Sequence, residues 1–179
     1  ASIAVAAVDN SVIKTKSIGA AAAVSAGWAG GSVSIGVAIA KNTVNNHVAA
    51  YINGSEAIAE TGDIAISAKE TGTINSHAIA ASFSASISIG VSLAGSGAEA
   101  TNIIESVVEA YADDGTLLAR AGDINVLAMN EARITSLVGA AAASAGAAAG
   151  AMGASVASNL IGVNSETDTS LFGNRTIAF

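Results

Sequence analysis

The residues whose types and spacing suggest chemistry are carboxylates that recur. Gly62, Asp63 and Ile64 return sixty positions later as Gly122, Asp123 and Ile124, and Glu60 stands just before the first aspartate. Paired carboxylates serve general acid–base catalysis or bind Ca²⁺, which takes about 6–8 oxygen ligands. No run of alternating Asp surrounds Asp63 or Asp123, so the plainer reading is a Gly-Asp turn that opens a strand. His47 and His77 are the only histidines, they stand in non-equivalent places, and no cysteine accompanies them, which leaves no convincing metal set. Serines are abundant, yet none sits in a Gly-x-Ser-x-Gly elbow. Arg120, Arg133 and Lys69 are scattered, whereas a solenoid lyase or hydrolase would gather such groups with Asp across adjacent coils. The sequence therefore assigns no catalytic, cofactor-binding or metal-ligating residue and predicts no enzyme.

The elements that would carry such groups are strands. From Ala81 the odd positions Ala81, Phe83, Ala85, Ile87, Ile89, Val91 and Leu93 are apolar, while the even ones from Ser82 to Ser92 are Ser or Gly. A period of two places these sets on opposite faces of an extended chain. The pattern predicts one long strand over 76–94, a Gly/Ser turn over 95–100, a strand from Ile103 to Tyr111 and a turn at Asp113, Asp114 and Gly115, followed by the short strands TLLARA and DINVLAM. The Ala-rich run 139–153 is helical by propensity. It aligns with 74–93, however, and carries Gly139, Gly146, Gly150 and Gly153, each costing about 0.5–1 kcal/mol inside a helix. Strand is the reading adopted there.

The sixty-residue register links Tyr51 with Tyr111, Ile74 with Ile134 and Ser76 with Ser136, without a gap from Asn42 and Asn102 onward. Ser2–Asn10 echoes Ser34–Asn42, and Lys16–Gly27 echoes His77–Ser88, so the first copy reads as shortened. Phe172 is the counterpart expected for Tyr111 in the last copy. One domain over 1–179 follows, with repeats at 1–41 (partial), 42–101, 102–161 and 162–179 (partial). Strand repeats without helical spacers predict an all-β fold, a parallel β-solenoid of about three ~60-residue repeats in which each repeat buries its face against its neighbours. The absence of Pro suits a structure bonded throughout by ladders.

Composition narrows the partners. Aromatic residues make up 3% of the chain and charged residues 12%, so the core must be thin and made of short side chains. A net charge of −7 and seven scattered Lys and Arg argue against nucleic acid and against membrane adhesion through charge. The Gly139–Met152 run is shorter than the roughly 20 residues of a membrane span. The opening ASIAVAAVDN has no starting Met, basic segment or cleavage site and reads as a mature or excised piece.

Glu99, Glu105, Glu109, Asp113 and Asp114 form an acidic stretch, while Lys14, Lys16 and Lys41 lie near the start. A solvated edge explains the asymmetry, and head-to-tail stacking is the functional alternative. Trp28, in a local insertion, reads as a packing residue or as a loop-tip anchor. Asn53 with Ser55, and Asn174 with Thr176, are glycosylation sequons, which mean little if the source is bacterial.

Residues 36–70, GVAIAKNTVNNHVAAYINGSEAIAETGDIAISAKE, resemble the repeat of large bacterial surface proteins, the filamentous-haemagglutinin-like and leukotoxin-like filamentous adhesins. There a Gly/Ala/Val strand, an Asn, a strand ending near Ala-Tyr-Ile and a Gly-Asp-Ile-type turn recur. The resemblance implies a secreted, extended solenoid at the cell surface, with no catalytic residues and no cofactor. The function expected is structural: a segment or subunit that builds a filament or adhesin shaft by stacking on itself or on adjoining repeats. The alternative is an adhesive or carbohydrate-binding module, with surface glycans as partners, that uses a flat, exposed face of Ser82 to Ser92.

Overall fold

The computed structural model describes residues 1–26, 30–87, 89–162 and the backbone of 175–178. The described residues form twelve strands and contain no helix. The first coil consists of β1 (Ile3–Asp9), β2 (Val12–Ser25), β3 (Ser32–Asn53) and β4 (Glu56–Ala59). The second consists of β5 (Ile64–Glu70), β6 (Thr73–Ser86), β7 (Val91–Asp113) and β8 (Thr116–Ala119). The third consists of β9 (Ile124–Asn130), β10 (Arg133–Ala145), β11 (Ala148–Ile161) and β12 (Arg175–Ala178).

Equivalent strands of successive coils pair in parallel, giving sheets β1-β5-β9, β2-β6-β10, β3-β7-β11 with β12, and β4-β8. This is a parallel β-solenoid of three coils. Tyr51 opposes Tyr111, Ile64 opposes Ile124, Ile74 opposes Ile134 and Ser76 opposes Ser136, as the repeat requires.

The structure revises three local readings. The first copy is not shortened: Ile3 opposes Ile64 and Val12 opposes Thr73, so Ser2–Asn10 is the counterpart of the strand at Ile64 rather than of Ser34–Asn42. The stretch 76–94 is two strands, because the chain reverses between Ser86 and Val91 to lay sheet β2-β6-β10 against sheet β3-β7-β11. At that reversal a Cβ on Gly90 would stand 1.6 Å from the Gly30 carbonyl oxygen, so only glycine fits. The expected turn at 95–100 is extended, since β7 is held on both sides by β3 and β11. The Ala-rich run is strand, in β10 and β11. At the true turn the positive φ falls on Gly54 and on its partner in the neighbouring coil, Asp114.

The coil is two-sided and its halves have opposite polarity. The second half of β7 packs on β5, and Ile64, Ile66, Ile74, Ile104 and Val108 are fully buried there, with the short sheet β4-β8 closing the end. We call this half the lobe. The first half of β7 packs on β6, and the interior holds Ala38, Ala40, Ala78, Ala80, Ala98, Ala100 and inward serines. In this half, the wedge, the sheets approach so closely that a Cβ on Gly19 would meet the Val37 carbonyl oxygen at 2.0 Å. Bulky side chains have no room inside and turn outward, leaving Ile18, Val33, Ile35, Val37, Ile39, Phe83 and Leu93 exposed.

The serine row therefore faces in, not out: Ser82, Ser84, Ser86 and Ser92 are buried. Ser84 and Ser92 share a 2.8 Å hydrogen bond, and the Ser32 hydroxyl donates to the Ala85 carbonyl at 2.9 Å. The hydroxyls of Ser76, Ser82 and Ser96 have no partner. A buried hydroxyl without a partner costs about 1–3 kcal/mol. Ser76→Ala is accordingly expected to raise the free energy of unfolding by about 1 kcal/mol, read as a higher urea midpoint at unchanged slope. A lower midpoint would show that the hydroxyl is satisfied.

Candidate functional site

The feature with the most specific geometry is an amide ladder along the solenoid axis. Each coil brings an asparagine to the same inward register of the long sheet, Asn42 opposite Asn102 and Asn102 opposite Asn159. The Asn42 Nδ2 donates to Asn102 Oδ1 at 2.7 Å, and the Asn102 Nδ2 donates to Asn159 Oδ1 at 2.8 Å. Asn102 is fully buried. The ladder is polar. At the third coil the Asn159 Nδ2 has no acceptor among the described residues; at the first, Asn42 Oδ1 accepts from the Thr15 hydroxyl and keeps a second lone pair. Asn42 and Asn102 opened the gapless repeat match in the sequence, and their recurrence at one register was the signal for a ladder.

Outside the ladder, Tyr51 and Tyr111 stack with ring centroids 5.2 Å apart and planes 7° from parallel. The strands of the first coil have no partner on one side and β9, β10 and β11 none on the other among the described residues, so both ends present open ladders. Interior side chains at these ends, among them Val5, Ile13, Val126 and Ile134, are only partly covered.

The residues singled out from the sequence fall into this frame as follows. Asp63 Oδ1 accepts the backbone N–H of Asp123 at 2.8 Å, the expected turn-and-strand role, and Glu60 pairs with Arg120 at 3.0 Å. His47 Nε2 lies 3.1 Å from Glu109, whereas His77 is exposed on the outer face of β6. No group of three or more metal-ligating side chains exists among the described residues. Lys69 pairs with Glu131 at 2.9 Å, and Lys69, Arg120 and Arg133 belong to different parts of the coil rather than to one cluster. The Ser55 hydroxyl donates to the Asn53 carbonyl at 3.1 Å. Trp28, Phe172 and the Asn174 sequon lie outside the described residues. No described helix is long and apolar enough to cross a membrane.

The chain is thus defined as a member of the parallel β-solenoid class by its ladders. Comparisons with protein-family models, with curated proteins and with solved structures return no match.

Proposed function

We propose that this chain is a structural protein, a β-solenoid segment or subunit that builds the length of a cell-surface filament or adhesin shaft by stacking coils head to tail. The observation that carries the reading is the complementarity of the two ends. One offers an amide donor at Asn159, and the other offers an amide acceptor at Asn42, at the same register of the same sheet. A joint that brought them together would continue the ladder, and the sheets with it. Such a joint is heterologous and does not close, so it propagates into a fibre. Open, flat strand edges otherwise invite uncontrolled pairing. The resemblance of residues 36–70 to filamentous-adhesin repeats supports an extracellular setting, and the separation of Lys69, Arg120 and Arg133 supports a non-catalytic role.

Electron microscopy of the purified chain without ligand tests this. The expected result is uniform, unbranched fibres with a repeat of about 4.8 Å along the axis. Val126→Lys, which puts a charge on an inward position of the edge strand β9, is expected to stop growth while the circular dichroism of the fold persists. A monodisperse monomer from the unmodified chain at the same concentration overturns the proposal.

A further inference from the structure

The wedge carries a second surface that stacking does not use. Residues 17–40, 78–98 and 134–162, which supply it, contain no charged side chain. Its apolar residues lie on both outer faces: Ile18, Val24 and Phe83 on one, Val33, Ile35, Val37 and Leu93 on the other. Ile87 and Ile89, at the tip where β6 turns into β7, are 74% and 85% exposed. Contiguous apolar surface of this extent marks an interaction site. A single partner protein seated on one face would leave the other bare, whereas an apolar medium covers both faces and the tip.

Charge around the wedge identifies the medium. Lys14, Lys16 and Arg133 stand on the outer face of β2 and β10 and Lys41 on that of β3, all where the uncharged segments begin or end. These four make no ion pair among the described residues, while the two remaining described cations, Lys69 and Arg120, are paired in the lobe. Glu99 and Glu105 lie on the outer face of β7 at this level and Glu131, held by Lys69, stands two positions before Arg133, while the remaining described carboxylates belong to the lobe. An overall charge of −7 therefore hides a collar of free cations around an apolar body. From Lys16 to Val24, and from Lys41 back to Val33, the strands run about 26 Å at roughly 3.3 Å per residue, close to the ~30 Å hydrocarbon thickness of a bilayer.

The outer face of the long sheet adds a channel. Two depressions of about 440 and 360 Å³ follow one another along β7, floored by Gly95 and Gly97. Ile35 and Met152 wall the first, Val37 and Ala154 the second, and Glu99 stands at the end of the second nearer Lys41. The channel runs along the strand toward Lys41, the direction an acyl chain takes beneath its headgroup.

We propose that the wedge inserts into an anionic lipid bilayer, with its Val and Ile faces among the acyl chains and Lys14, Lys16, Lys41 and Arg133 at the headgroups. The inference rests on the stacking reading in one respect: unpaired strand edges are not tolerated in hydrocarbon, so the coils that enter must be paired to their neighbours.

Flotation of the chain with vesicles of phosphatidylcholine alone, or mixed with phosphatidylserine, tests the proposal, with electron microscopy of the same samples. At least tenfold stronger binding to the anionic vesicles is expected. Because each basic residue near an anionic surface gains roughly fivefold, the triple change Lys14→Gln, Lys16→Gln and Lys41→Gln should cost about a hundredfold in binding and leave fibres intact. Fibres that do not float overturn the lipid proposal alone. Absence of both fibres and flotation overturns the stacking reading together with it. Fibres that pair laterally through the wedge in lipid-free buffer, and stay paired when vesicles are added, assign the surface to a second copy and also overturn it.

Discussion

Replacing Gly19 by alanine is expected to lower the free energy of unfolding by about 3 kcal/mol, the upper end of the range for overpacking. The added Cβ would lie 2.0 Å from the Val37 carbonyl oxygen and 2.5 Å from its carbon. Both are backbone atoms held in the β3–β7 ladder, so no side-chain rotation relieves the contact. Relief requires the two sheets to separate, which loosens the interior packing of Ala38, Ala40, Ala78 and Ala80 together. Gly139→Ala is the matched control, on β10 at the opposite edge of the same sheet. A Cβ there meets nothing within 4 Å, so the variant should gain about 0.5 kcal/mol through a less disordered unfolded chain. Urea unfolding of both, in the Val126→Lys background so that assembly does not intervene, checks the pair. Equal midpoints would mean that the sheets are not in backbone contact.

The same close approach explains what was legible in the sequence. Parallel stacking at sixty residues was readable because identical residues face each other across coils, Tyr51 with Tyr111 and Ile64 with Ile124, and neither pairing depends on knowing which face is inside. The sidedness was not read. The alternation at 81–93 gives two faces without saying which is buried, and the usual assumption puts Phe83 and Leu93 in the core. The correcting signal was a change of parity: Val33, Ile35, Val37 and Ile39 occupy odd positions of β3, whereas Val44 and Val48 occupy even ones. The strand does not turn over between them, so one apolar set must face out. The reversal at 87–90 was hidden because the alternation runs straight through it, and Gly95 and Gly97, which look like a turn, are instead the floor of the outer channel. The placement of charge along the coil was hidden for a similar reason. A net charge averages over the chain, and only the fold separates the free cations of the collar from the carboxylates of the lobe.

Asn102→Ala is expected to cost about 3 kcal/mol, because it removes both bonds of the ladder's central rung and leaves the buried Asn42 Nδ2 without its acceptor. The loss combines one orphaned buried donor, at about 1–3 kcal/mol, with the space vacated by the side chain. Asn159→Ala in the monomer should cost less, about 1 kcal/mol, since it takes the acceptor from Asn102 Nδ2 only at the exposed end of the ladder, where water can replace it. That ordering changes on assembly. If a second copy's Asn42 accepts from Asn159, the terminal rung becomes an interior one, and its deletion should then be felt in the joint rather than in the fold. The measurement is the lowest concentration at which Asn159→Ala forms fibres, expected to rise about tenfold for each 1.4 kcal/mol lost at the joint. An unchanged threshold, with the small effect on unfolding retained, would mean that the ends do not meet through the ladder, and head-to-tail growth would need another contact.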